Sequence, residues 1–173
     1  IEKEGFDSAE SFRRGVKTKL QSMYEQREEM RIKEEIFDKL VKDNPIEAPE
    51  GMVKSELKFM LEGMKFQIEQ SGMKLEDSGF DEEKAKDEWH DKAESNCKGY
   101  LLLENIASLE DIHVSQFDLE EEFKSLASQS KQESDDVKNR MMANPEVIKH
   151  TSSKILGRKA LDFIYSNCEF DFV

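Results

Sequence analysis

Proline is scarce in this chain, with 3 in 173 residues, and glycine is little commoner at 8. So few breakers leave long stretches free to run as uninterrupted helix. Cysteine is scarcer still: Cys97 and Cys168 stand alone, without CxxC spacing, and read as free thiols of a reducing compartment. Long apolar runs are missing. The longest, Tyr100–Leu103, is far too short to span a membrane, and no signal peptide is visible. An excess of basic residues is missing too. The net charge is −13, which sets the chain against nucleic acid or an anionic membrane as a direct partner. Apolar residues make up 36% and charged residues 38%, enough to bury a core but not a round one. The length suits one domain over residues 1–173, with no internal repeat at a fixed period. The chain begins at Ile1 without a methionine and reads as a piece of something longer.

What is present is organised around Asn44–Met64. Asn44-Pro45 halts a long first helix, because proline disfavours the α region in the residue before it. Pro49 restarts the chain at a first helical position, where its missing N–H is no loss, and Glu50 follows as a first-turn carboxylate. Asn44, Pro45 and Pro49 thus bound a short, stiff connector through Ile46-Glu47-Ala48.

The first helix runs from about Ser8 to Asp43, with Asp7 and Glu10 as a capping-box-like start. At 1.5 Å per residue it is roughly 50 Å long. A compact chain of this size has a radius of gyration near ~16 Å, a diameter of about 40 Å, so the helix must protrude or the whole must be elongated. Phe12, Val16, Leu20 and Met23 form one apolar stripe on it; Ile36, Phe37, Leu40 and Val41 form another. The charged interval Tyr24–Glu35 argues against a continuous coiled coil.

The second helix runs from about Pro49 to Ser71, with Gly72 as terminator and a loop over Lys74–Phe80. A third covers about Asp81 to Leu109, with a narrow stripe of Ala85, Trp89, Ala93 and Cys97 that widens after Tyr100. Ser115 or Asp118 caps a fourth, with Leu119, Phe123 and Leu126 inward. After a polar break at Lys131–Asp136 comes a short helix through Met142. Asn144-Pro145 caps a final helix carrying Ile148, Ile155, Leu156, Ala160, Phe163 and Ile164, and the tail Cys168–Val173 is read as extended. The fold class is therefore all-α, an elongated multi-helix domain with a long first helix and protruding helical arms.

The second helix carries two apolar faces. At 100° per residue, Val53, Leu57, Met60, Leu61, Met64 and Ile68 fall within about 100° of arc, as a core stripe does. Met52, Phe59, Phe66 and Met73 recur every seven residues within about 60° of arc, centred roughly 160° away. Lys54, Lys58, Lys65 and Glu69 lie between the two. Either both faces are buried between neighbouring helices, or the second faces outward.

Signs of chemistry are few. There is no Gly-rich phosphate loop, nucleophile elbow or HExxH motif, and no cofactor is implied. Asp87, His90, Asp91 and Glu94 share a helical face, but a di-metal bundle needs a second such cluster on another helix. They read as a solvated acidic face, and no metal is assigned. The chain reads as non-enzymatic.

The order Asp43-Asn44-Pro45-Ile46, Ala48-Pro49-Glu50-Gly51-Met52-Val53 and Gly99-Tyr100-Leu101-Leu102-Leu103-Glu104-Asn105-Ile106-Ala107, with the closing helix from Asn144, resembles the C-terminal domain of the bacterial trigger factor family over most of the chain. That family consists of ribosome-associated chaperones. The resemblance implies an ATP-independent, cytoplasmic chaperone domain that holds unfolded or nascent polypeptides on the apolar faces of helical arms and assists folding and export.

The residues read as candidates for client binding are Met52, Phe59, Phe66, Met73, Phe80, Met141 and Met142. With 8 Met against 7 Val, the chain is rich in the flexible side chain favoured at surfaces that accept many partners. The family's prolyl isomerase and ribosome-binding domains lie upstream and are absent here. Phe12-Arg13-Arg14-Gly15 lacks the glycine and proline of the family's ribosome signature, so the ribosome is a partner only through the absent N-terminal domain. A weak homodimer is left open. The alternatives are a helical scaffold for one defined partner and a related periplasmic chaperone, which a Cys97–Cys168 disulfide would favour.

Overall fold

The computed structural model describes residues 8–130 and 132–169. Among them are six α-helices and no strand: α1 (Ala9–Asp43), α2 (Glu50–Gln70), α3 (Glu82–Leu109), α4 (Gln116–Ser130), α5 (Ser134–Met142) and α6 (Pro145–Asn167). A 3₁₀ turn, Leu75–Asp77, interrupts the loop after α2.

Local chemistry sets nearly every boundary. Ser8 caps α1 in a reciprocal box, each of Ser8 and Ser11 donating its backbone N–H to the other's hydroxyl at 3.1 Å. This box stands one residue later than the Asp7–Glu10 pairing expected above, and Asp7 lies outside the described residues. Asn44 closes α1, its side-chain amide donating to the Leu40 carbonyl at 2.9 Å. Pro45 follows in extended chain. Pro49 is the N-cap of α2, one position earlier than expected: its carbonyl accepts from Met52 and Val53, while its own extended ψ of 131° keeps it outside the helix.

At the other end of α2 Gly72 has a φ of 79°, which a side chain would resist. The Met73 N–H reaches the Ile68 carbonyl and the Gly72 N–H reaches that of Glu69, a Schellman closure with Met73 and Ile68 as its apolar pair. Asp111 makes the corresponding left-handed turn after α3, with φ 55° and the Ile112 N–H bonded back to the Ala107 carbonyl at 2.8 Å. Asp81, the Ser115–Asp118 pair and Asn144 cap α3, α4 and α6. The break before α5 is shorter than the composition suggested, because Ser134, Asp135 and Asp136 already belong to the helix.

The helices assemble on α3. Its inward residues are small, Ala85, Ala93, Cys97, Gly99 and Ala107, with Leu103 the one large buried side chain. Toward its N-terminus α3 packs against α2 around Val53, Ala93 and Cys97. Toward its C-terminus Leu103, Ala107 and Ala160 form a second core with α6, which Phe37 and Leu40 of α1 cover. This far half of α1 is the part that packs on the cores of the described helices. Lys33 reinforces it by pairing with Asp162 of α6 at 2.6 Å and lying over the Tyr165 ring. From residue 13 to residue 27 every position but Gly15 is exposed, so the near half of the 35-residue helix stands clear as an arm. The second arm, α4 with α5, has its own small core of Phe123, Ala127 and Val137. It is tied to α6 by Lys159–Asp118 at 2.8 Å and Arg158–Glu122 at 3.0 Å. The Lys159 ammonium and the Ser115 donors hold the Asp118 carboxyl well below the usual carboxylate range.

One polar group lies inside this packing. Glu56 of α2 is 4% exposed. One carboxylate oxygen accepts from the Asn96 amide of α3 at 3.0 Å; the other contacts His150 Nε2 of α6 at 2.8 Å. An ionised carboxylate only accepts, so that nitrogen carries the proton. Burial pushes the Glu56 carboxyl up, but the His150 and Asn96 hydrogen bonds and the Lys154 charge outweigh it, and the net direction is down from the ordinary 4.5.

Two tests follow from this packing. A Cβ on Gly99 would lie 2.0 Å from Phe37 Cζ, whereas one on Gly157 would meet Leu103 and Tyr100 at an ordinary 3.6 Å. We expect Gly99→Ala to lower the melting temperature by about 2–8 °C, because overpacking outweighs the helix-propensity gain. Gly157→Ala should raise it by about 1–4 °C through propensity alone. Shifts of the same sign in both variants would contradict this account of the helix contacts.

The second test is a pH dependence. A carboxyl whose folded pKa is depressed adds stability that is complete above its unfolded value and is lost as pH falls through the folded one. Glu56→Gln should therefore cost about 1–3 kcal/mol near neutral pH, as a hydrogen-bonded buried group does. Denaturant titrations should show the gap to the parent closing below the ordinary 4.5. A gap independent of pH would mean that the Glu56 charge plays no part.

Candidate functional site

The candidate residues on α2 lie on the side of that helix turned away from α3. Met52, Phe66 and Met73 are 37%, 39% and 49% exposed, unusual for large apolar side chains in a row. Phe59, between them, is half-buried. Its ring is stacked by His150, with centroids 3.8 Å apart and planes 18° from parallel. The outward face is therefore neither fully sandwiched nor fully free. It is open at both ends and covered in the middle.

Two neighbours shape the open part. The Arg140 guanidinium of α5 lies 5.9 Å from the Phe66 ring centroid, a cation–π distance that brings the last turn of α5 beside α2. That turn carries Met141, half-buried, and Met142, exposed. Gly63, one turn beyond Phe59, supplies no side chain, and a Cβ there would meet nothing within 4 Å. Phe80 stands apart. It is half-buried and tilted against Trp89 of α3 at 6.2 Å, beside the turn at Gly79. The structure thus gathers Met52, Phe59, Phe66, Met73 and the end of α5 along one side of α2 and puts Phe80 with the loop and α3.

Apart from Arg140 over Phe66, the described charges near this face lie on its flanks. Lys54–Glu50 and Lys58–Glu62 are pairs within α2, and Lys65 reaches Glu82 at the start of α3 at 2.5 Å. These ion pairs leave the flanks of α2 close to neutral. A second exposed apolar strip, on the near half of α1, includes Val16, Leu20 and Tyr24 and faces no other described helix.

Among the described residues one group of metal-ligand-type side chains comes together. His90, Asp91 and Glu94 approach to within 4.8 Å of one another, but His90 and Asp91 are exposed and Glu94 is taken by Lys98 at 2.8 Å. Asp87 does not join them. Cys97 and Cys168 are both free; burial and the Glu56 charge push the Cys97 thiol up to about 11, which suppresses its thiolate. No described helix is long and apolar enough to cross a membrane.

Glu56, Arg140, His150 and Gly63 shape the face, and the sequence pattern picked out none of them for it. Glu56 lies between the two apolar arcs of α2, which marks it as inward, but its partner His150 is 94 residues away.

Comparison with known proteins places this architecture. The chain is 34% identical over 156 residues to trigger factor from Geobacter metallireducens, covering 88% of this chain and 36% of that protein. It is 30% identical over 172 residues to trigger factor from Halothermothrix orenii, covering 96% of this chain and 39% of that protein. It thus spans little more than a third of the length of these relatives. The fold is shared with a solved structure of domains of trigger factor from Thermotoga maritima, with a TM-score of 0.54 and 22% identity over 82% of this chain and 83% of that one. The family described as bacterial trigger factor protein C-terminus matches residues 8–166, and the chain accordingly belongs to the trigger factor family.

Proposed function

We propose that this chain is a cytoplasmic, ATP-independent chaperone domain. It holds unfolded or nascent polypeptides on the outward face of α2, together with the last turn of α5. The observation that carries this reading is the set Met52, Phe66 and Met73, fourteen and then seven residues apart and each more than a third exposed, on a chain of net charge −13. Methionine and phenylalanine bind apolar segments of no fixed sequence, because the first is flexible and both are large. The net negative charge of the whole chain works against self-association of such a surface. Membership of the trigger factor family supports the reading. In the longer protein, ribosome contact and prolyl isomerisation belong to the part of the family's length that lies outside this chain.

A second reading, a scaffold for one defined helical partner, draws on the exposed strip of Val16, Leu20 and Tyr24 on α1. The two readings separate on a panel of unrelated aggregating proteins. The chaperone reading expects suppression of light scattering across the whole panel, the scaffold reading for one member.

The decisive variant is the pair Phe66→Ser and Met73→Ser. Both side chains are more than a third exposed, so the change should cost about 1–3 kcal/mol and leave the chain folded. It should nevertheless weaken aggregation suppression across the panel. Retention of full activity by the folded variant would remove the α2 face from the mechanism.

A further inference from the structure

We propose that His150 gates the middle of the α2 face and thereby sets how long an apolar segment that face accepts. The inference rests on the client-binding reading above and adds to it a residue from a different helix.

Seven helical residues rise about 10.5 Å, so Met52, Phe59 and Phe66 stand at equal steps along α2, with Met73 just past its closing turn. A client in the polyproline II conformation has three residues per turn and rises about 3.1 Å per residue, so every third side chain lies on one side at about 9 Å and would meet successive steps. The second step is occupied. The His150 ring lies flat on Phe59 at 3.8 Å, filling the ring face that a client side chain would use. On either side the face reopens, at Met52 and at Gly63 followed by Phe66, where a Cβ on Gly63 would meet nothing. The face is therefore two short subsites, Met52 on one side and Phe66 with Met73 on the other, separated by one imidazole.

The imidazole is held by more than apolar contact. Its Nε2 is 2.8 Å from Glu56, a side chain 5% exposed whose other oxygen is taken by Asn96. Swinging His150 away would leave a buried carboxylate with one partner, an unfavourable state that keeps the gate closed in the free protein. A client that offers a long enough apolar stretch offsets that cost by covering Phe59 itself. One that spans a single subsite does not.

The test uses two synthetic peptides with a leucine at every third position, one of four residues and one of ten, binding to the 173-residue chain and its variants. The parent should bind both with similar affinity. In His150→Ser and His150→Gln the long peptide should bind about tenfold tighter, the gain of one aromatic face, with the short peptide unchanged. His150→Gln keeps an N–H donor for Glu56, so it carries the test if His150→Ser does not fold. An unchanged long-to-short ratio in a folded variant overturns the gate. Failure of both variants to fold also overturns it, because His150 would then be a structural residue. Phe66→Ser in the parent separates the two ideas: if it leaves short-peptide binding intact, the client-binding reading fails. If it weakens that binding while His150→Gln changes nothing, the gate alone fails.

Discussion

The close approach of three helices to α3 is the constraint on which the rest depends. A chain with this little apolar material cannot fill a wide core, so it narrows the core instead. Alanine, glycine and cysteine at the inward positions of α3 let α1, α2 and α6 come close enough for a few large side chains to seal the contacts. Leu103 and Ile155 are nearly wholly buried, and Phe37 closes the remaining gap against Gly99. A narrow core organised on one helix is a linear core, and a linear core gives an elongated molecule. The near half of α1 and the α4–α5 pair lie outside the packing on α3 and become arms, the second with buried residues of its own.

Ion pairs and hydrogen bonds do what apolar area does elsewhere. The α4–α5 arm meets α6 through Lys159–Asp118 and Arg158–Glu122, and α1 meets α6 through Lys33–Asp162. Such contacts near the surface are individually weak and screened by salt. They orient the arms without locking them, in contrast to the buried Glu56, whose loss would leave Asn96 and His150 without their acceptor. The rigid and yielding parts of the molecule thus differ in the dielectric around their polar contacts rather than in their number.

Much of this architecture was legible in the sequence, for a local reason. Helix ends are set by residues within four positions of one another, and Asn44-Pro45, Gly72, Asp81 and Asn144-Pro145 all act where they stand. The two arcs of α2 were legible too, because periodicity is a property of one helix. What was not legible depends on two helices at once. Nothing near Phe59 says that a histidine 91 positions later will lie on it, and Gly99 carries no mark that Phe37 will fill its place. Pro49 shows the intermediate case. The residue type announced a helix start, but whether it stands at the cap or in the first turn depends on the path of the chain from Asn44, where extended backbone rather than helix delivers it.

This division bears on function. The inward arc of α2 satisfies the fold, and its identity is constrained by packing on α3. The outward arc is more than a third exposed at Met52, Phe66 and Met73, although Met73 also closes α2 and Phe66 lies under Arg140. Large apolar side chains left in water along one line carry a standing cost in solubility, which the surrounding carboxylates and paired lysines offset. Phe59 differs only in that α6 reaches it. The same helix face is therefore core where His150 covers it and surface where it does not, and the boundary between the two is set by one hydrogen bond to a buried glutamate. On the client-binding reading proposed above, such a surface needs no separate pocket. It is the part of a hydrophobic stripe that the narrow core could not cover.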